Sequence, residues 1–199
     1  MNLKISFEFI MNCFSTNNLV KITEIRSNSL QEIITKVNQD SNNLYAESLL
    51  NLLVYNTPEN NSIDNLKEIL TKLGLDANLY HLKDGSGLSR HNLVTPEILV
   101  DLLTLIATTP EGKKYRDSLP IGGVNGTITN RFQETIVEEK IQAKTGTLSG
   151  NLALSGYINP PIYPPLAFSI IVNKSDLKAS QLRKVIDEIV IHLGSLKQC

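Results

Sequence analysis

The chain has 199 residues, 41% hydrophobic and 20% charged, a composition ordinary for a globular domain able to bury a core. A formal net charge of -1, with no basic run, removes the electrostatic case for nucleic acid or for an anionic membrane surface. Cys13 and Cys199 lie near opposite ends, and His81, His91 and His192 lack ligand spacing, so no disulfide, metal site or cofactor is expected.

Within Met1 to Val20, the run Ile5 to Met11 has the look of a leader, but Glu8 interrupts it and no small-residue cleavage site follows. A working signal peptide is not expected, and no run is long enough to span a bilayer. Leu30, Ile33, Ile34 and Val37 line one face of a short helix, which the polar stretch Asn38 to Asn43 breaks. A more apolar helix over Leu44 to Tyr55 follows, so Ser41-Asn42-Asn43 sits at the turn entering a core helix. Thr57 to Asn61 is a polar loop, and Ile63 to Leu73 is a helix that Gly74 ends.

Asp84-Gly85-Ser86-Gly87-Leu88-Ser89-Arg90 is too rich in glycine for helix or strand and predicts a loop. Thr95 caps a helix that Pro96 begins and Ile98 to Ile106 carry onward. Gly122 to Gly126 is a second loop. Ile141 to Thr147, Leu152 to Ile158 and Leu166 to Val172 read as an antiparallel meander with a proline-rich turn at Asn159 to Pro165. Ala179 to Leu193 is an amphipathic helix expected to pack on those strands, which gives an α+β architecture.

The chemistry centres on Lys144-Thr145-Gly146-Thr147. An ammonium and a hydroxyl side by side can hold a carboxylate, and a glycine lets a substrate backbone lie close to the strand. The Thr147 N–H can face an oxyanion. Lys-Thr-Gly is also one element of the serine acyl-transferase set, with S-x-x-K and Ser-x-Asn. Ser-x-Asn occurs here as Ser15/Asn17, Ser41/Asn43 and Ser149/Asn151. Only Ser41/Asn43 lies between helices and well ahead of the strand.

Ser41-Asn42-Asn43-Leu44-Tyr45-Ala46-Glu47, then Asp84 to Arg90, then Lys144 to Leu148 together resemble the class C low-molecular-mass penicillin-binding proteins. These are the D-alanyl-D-alanine carboxypeptidases/endopeptidases of bacterial peptidoglycan, of the penicillin-binding protein 4 type. The resemblance implies a serine β-lactamase/penicillin-binding transpeptidase-like fold and a serine-type, acyl-enzyme peptidase of the periplasm or cell envelope that acts on stem peptides and binds β-lactams. It implies that Ser41 relays protons, that Asn43 hydrogen-bonds the catalytic lysine and the substrate amide, and that Lys144 and Thr145 bind the terminal carboxylate. Gly146 and Thr147 would lie along the substrate, Thr147 giving an oxyanion N–H, and Leu88 and Arg90 would line the stem-peptide pocket.

One departure weighs against these matches. The family's nucleophile belongs to an S-x-x-K upstream of Ser-x-Asn, and residues 1 to 40 contain none. The chain's single S-x-x-K, Ser175 to Lys178, follows the Lys-Thr-Gly strand, where Ser175 or Asp176 reads as a helix N-cap. The expectation is therefore the C-terminal portion of such an enzyme, with residues 22–199 in the family domain and 1–21 outside it. A separate chain could supply S-x-x-K. The alternatives are a catalytically inactive remnant that binds stem peptides or β-lactams, and an unrelated interaction module. A sheet without its further strands should also expose apolar surface and unpaired backbone.

Overall fold

A computed structural model describes residues 26–54 and 61–197. The expected boundary at residues 21 and 22, the leader-like run, both cysteines and all of the 57–61 loop except Asn61 fall outside these residues. Among the described residues no helix is long and apolar enough to cross a membrane.

Polar caps start the helices of the N-terminal half. Helix α1 (Leu30–Asp40) opens with a capping box, Ser29 Oγ accepting the Glu32 N–H while Glu32 accepts the Ser29 N–H at 2.7 Å. Asn42 caps α2 (Asn43–Leu52) by accepting the Tyr45 N–H at 3.0 Å, and Asn61 caps α3 (Ser62–Lys72) through Asp64 N–H at 2.9 Å. As expected, Gly74 follows the end of α3 with φ +85°. The strands β1 (Tyr80–His81) and β2 (Leu93–Val94) pair antiparallel and close the glycine-rich loop at its base. Thr95 and Pro96 start α4 (Pro96–Thr108), and α5 (Gly112–Ser118) comes next.

The meander is present as β3 (Ile141–Leu148), β4 (Asn151–Ile158) and β5 (Leu166–Val172), all antiparallel in that order, and α6 (Ala179–Gly194) follows. Lys178, not Ser175 or Asp176, holds the N-cap position of α6. Ser175 Oγ instead accepts the Leu177 N–H at 3.2 Å, a local turn that delays the helix, and Gln181 accepts the Lys178 N–H at 3.2 Å.

Alternation along the strands gives the sheet two buried faces. On one, Ala143, Leu154, Ile158 and Phe168 pack with Leu182, Ile186 and Val190 of α6 and with Ile128, Phe132 and Val137. On the other, Tyr157 packs with Leu103 of α4, Leu119 and Tyr115. The sheet is thus a middle layer between α6 and the N-terminal helices. The Tyr157 hydroxyl donates to the Leu103 carbonyl at 2.7 Å, and burial first, with Tyr115 nearby, pushes its pKa up to about 12 against the pull of Arg116.

The two sheet edges differ. The first half of β3 is paired outward, Gly122 N–H donating to Ile141 O at 3.0 Å and Ala143 N–H to Pro120 O at 2.9 Å. From Lys144 onward that edge is open, and β5 has no neighbouring strand on its outer side among the described residues. The open edges agree with the expectation from a sheet of few strands.

Gly156 keeps β4 close to β3: a Cβ there would collide with the Gln142 carbonyl and lie 2.6 Å from Ala143 Cα. Gly156→Ala is therefore expected to lower stability by about 1–3 kcal/mol in urea unfolding, as overpacking does elsewhere. An unchanged midpoint would mean that β3 yields freely, and with it the position of Lys144.

Candidate active site

Ser41 ends α1 in the left-handed region, at φ 53° and ψ 46°, where a residue with a Cβ is uncommon. The side chain next to it, Asn42, caps α2, so capping needs neither Ser41 nor Asn43. The hydroxyl of Ser41 is accordingly free of that duty. Asn43 is exposed in the first turn of α2.

Lys144 pairs with Ser155 on β4 and so faces the N-terminal helices. Its Nζ donates to Ser41 Oγ and, at 3.0 Å, to the Thr145 carbonyl. Burial lowers the pKa of Lys144 below the ordinary lysine range. Two of the three ammonium protons are used, which leaves one to meet an anion.

A short helix sets this meeting. From α5, Ser118 accepts from Asn38 Nδ2 at 2.7 Å and donates to Tyr115 O at 2.5 Å, which holds α1 one turn before Ser41. From the same helix Arg116 Nε donates to Gln142 Oε1 at 2.6 Å, and Gln142 Nε2 returns a bond to Arg116 O at 3.2 Å. Gln142 precedes Lys144 on the same side of β3. The Arg116 guanidinium also stacks 5.1 Å from the centre of the Tyr157 ring, and burial lowers its pKa. Helix α5 therefore fixes both sides of the Ser41–Lys144 pair.

Thr145 Oγ1 donates to Thr127 Oγ1 at 2.9 Å. Because the Ala143 N–H points outward from β3, alternation sends the Thr145 and Thr147 N–H groups out of the same edge. Gly146 and Thr147 are exposed on that open half. An electrophile placed there would meet an ammonium, hydroxyls and a backbone N–H together.

The glycine-rich loop is built around carboxylates. Asp84 accepts from Gly87 N–H at 2.7 Å, Ser89 N–H at 2.6 Å and Asn92 Nδ2 at 2.7 Å. Glu47 of α2 accepts from Gly85 N–H at 3.1 Å and Ser86 N–H at 2.9 Å, docking the loop on the helix that follows Ser41. Leu88 is 58% exposed and Arg90 is exposed. Neither has a hydrogen bond or ion pair to Ser41 or Lys144 among the described residues. The structure thus joins Ser41, Lys144 and Thr145 directly and attaches the loop to α2 alongside them. The sequence motifs assign no role to Thr127, Asn38, Gln142, Arg116, Ser118 or Glu47. Glu47 lay inside a quoted motif, and Gln142 shares a strand face with Lys144, so these two had a signal.

An antiparallel sheet between helical layers, with a lysine on its edge strand meeting a serine at a helix junction, is the arrangement of a penicillin-binding transpeptidase-like fold. The profile of the D-Ala-D-Ala carboxypeptidase 3 (S13) family matches residues 15–193, and the chain belongs to that family. It is 41% identical over 74% of its length to a D-alanyl-D-alanine carboxypeptidase of Actinomadura sp. (strain R39), covering 29% of that protein. It is 32% identical over 96% of its length to the penicillin-sensitive carboxypeptidase A of Dictyostelium discoideum, covering 39% of it. Among solved structures, penicillin binding protein 4 of Haemophilus influenzae in complex with a β-lactam matches at a TM-score of 0.78 and 29% identity, over 86% of this chain and 43% of that one. An extended-spectrum β-lactamase matches at a TM-score of 0.66 and 19% identity, over 86% of this chain and 64% of that one, a likeness of fold alone. The family and fold implied by the sequence motifs are therefore correct. The chain spans 29% to 39% of the length of these curated relatives.

Ser118→Ala leaves the Asn38 amide buried without its partner and is expected to lower stability by about 1–3 kcal/mol in urea unfolding. A neutral result would remove α5 as the tie to α1. For Asp84, burial raises the pKa, but bonds from Asn92, Ser89, Gly87 and Ser86 outweigh it and leave the carboxyl below its ordinary value. A carboxyl lowered on folding adds stability above its unfolded pKa and loses it as pH falls through the folded value. Wild type should therefore exceed Asp84→Asn in stability at neutral pH, with the gap closing in acid. A gap that did not change with pH would contradict this.

Proposed function

We propose that the chain carries the Ser-x-Asn and Lys-Thr-Gly parts of a serine-type D-alanyl-D-alanine carboxypeptidase/endopeptidase site that acts on peptidoglycan stem peptides in the periplasm or cell envelope. The observation that carries this reading is the hydrogen bond from Lys144 to Ser41, which joins the two motifs. Residues 22–199 form the C-terminal part of the transpeptidase-like domain, and the family match, which begins at residue 15, reaches into the segment before them. The nucleophilic serine and the lysine base belong to an S-x-x-K segment outside residues 1–199, on the same or on a separate polypeptide.

In the reaction the nucleophile's Oγ bonds to the carbonyl carbon of the penultimate D-alanine, and its proton passes to the lysine base. The oxyanion is held by the Thr147 N–H and by the nucleophile's own N–H. Ser41 hands a proton from that lysine to the leaving nitrogen, the C–N bond breaks and D-alanine departs. Water then hydrolyses the ester and restores the serine. Asn43 orients the lysine base and the substrate amide, and Lys144 and Thr145 hold the terminal carboxylate. Gly146 admits the substrate backbone, and Leu88 and Arg90 line the stem-peptide pocket. The second reading is a catalytically inactive remnant that binds stem peptides or β-lactams without reacting.

The test begins with the intact mass of the folded full chain after incubation with benzylpenicillin. The expected mass is unchanged, whereas a peptide ending in D-Ala-D-Ala binds. Lys144→Met should weaken that binding about tenfold or more, because a charge-assisted bond is lost. The affinity should fall as pH rises through the lowered pKa of Lys144, since the neutral amine loses its attraction for the carboxylate, and Lys144→Met should abolish this dependence. An adduct on Ser41 or Ser175 would overturn the need for an outside nucleophile. Penicillin acylation and D-alanine release on mixing with an S-x-x-K polypeptide support the enzyme, and persistent binding without either supports the remnant.

A further inference from the structure

Thr127 is exposed, yet its hydroxyl accepts a hydrogen bond from Thr145 at 2.9 Å instead of being left to solvent. Its place is built by the surrounding chain. The 3-10 turn Gly126–Ile128 touches both α1, which ends at Ser41, and β3, which carries Lys144. Asn125 Oδ1 accepts the Ile121 N–H at 2.8 Å, and Thr129 Oγ1 donates to Val124 O at 2.9 Å. Gly126, at φ +59°, lies where a Cβ would come within 3.0 Å of Pro120 and 3.2 Å of the Gln39 carbonyl. The turn is therefore locked against the end of α1.

A threonine hydroxyl has one proton and can accept as well as donate. In this structure Thr145 gives its proton to Thr127, so it has none for a carboxylate while the bond keeps that direction. Rotation of both hydroxyls reverses the bond with no movement of heavy atoms and no proton changing its oxygen. Thr127 then donates to Thr145, and Thr145 donates outward beside Lys144.

We infer that Thr127 is a positioning residue for the terminal carboxylate of the substrate. It acts through Thr145 and favours a free C-terminal carboxylate over a blocked one. The inference rests on the D-Ala-D-Ala reading above. An amide terminus offers one carbonyl oxygen and no negative charge, so it gains less from an aligned donor than a carboxylate does.

The experiment titrates the full chain with a peptide ending in D-Ala-D-Ala, as its free carboxylate and as its C-terminal amide, by calorimetry. Wild type should prefer the carboxylate. Thr127→Val should weaken carboxylate binding about three- to tenfold, as loss of one neutral hydrogen bond does, and leave amide binding unchanged. Thr127→Ser should retain the preference. In a Thr145→Val background, Thr127→Val should have no further effect, which a merely structural role would not produce. Circular dichroism and thermal midpoints of each variant establish that it is folded. Undiminished carboxylate binding by Thr127→Val, or equal losses for both peptides, would overturn the inference alone. Wild type binding neither peptide would overturn the D-Ala-D-Ala reading and this inference with it.

Discussion

An ammonium on a strand donates to a hydroxyl at the end of a helix, and the two residues are 103 positions apart in the chain. Such a bond is only as good as the frame that brings its ends together, because long side chains lose entropy when held. Here the frame is covalent on neither side. It consists of α1 ending in an unusual backbone conformation at Ser41 and of β3 fixed in register by β4. A left-handed serine costs on the order of 1–3 kcal/mol and persists only where its surroundings over-determine it. The hydroxyl is thereby aimed at Lys144 and away from the cap of α2, a duty that Asn42 has taken over.

The frame is mixed in character for a physical reason. Apolar packing against α6 fixes the sheet as a whole, but such packing is non-directional and does not set a position to fractions of an ångström. Directional bonds do that on the other face. Asn38 to Ser118 and Arg116 to Gln142 each place a polar tie within a few residues of a site residue, and α5 supplies a partner to both. The atoms that make these ties are paired, although Arg116 Nη2 is buried without a hydrogen-bond partner, and removing one partner leaves the other uncompensated.

The fold was legible in the sequence wherever periodicity was strong. The helix stripes at Leu30 to Val37 and Leu182 to Val190 and the three β-prone runs lie where the sequence placed them. Helix α5 was not legible, since Gly112-Lys113-Lys114-Tyr115-Arg116-Asp117-Ser118 has a single large apolar residue and no period to detect. Strands β1 and β2 have two residues each, too few to alternate. Helix α6 starts later than the sequence suggests because Ser175, which could cap a helix, instead accepts the N–H of Leu177. At the candidate site, Ser41, Asn43 and Lys144 stood out as motif members. The pairing of Thr127 with Thr145 depends on where a distant turn comes to rest, and no spacing in the sequence announces it.

The open half of β3 and the half-solvated pair beside it follow from one another. A strand edge that continued to pair past Ala143 would cover the outward N–H groups of Thr145 and Thr147 and would bury the free proton of Lys144. Pairing instead stops where Pro120 and Ile121 turn away, and the next residues of that segment, through Gly126, swing back only far enough to present Thr127. The same connection therefore closes the structural part of the edge, leaves the chemical part exposed and sets a hydroxyl at its rim. An edge left open in this way is a liability for association, and here it is short and bordered by a charged and a polar side chain, which limits that liability while keeping the backbone donors accessible.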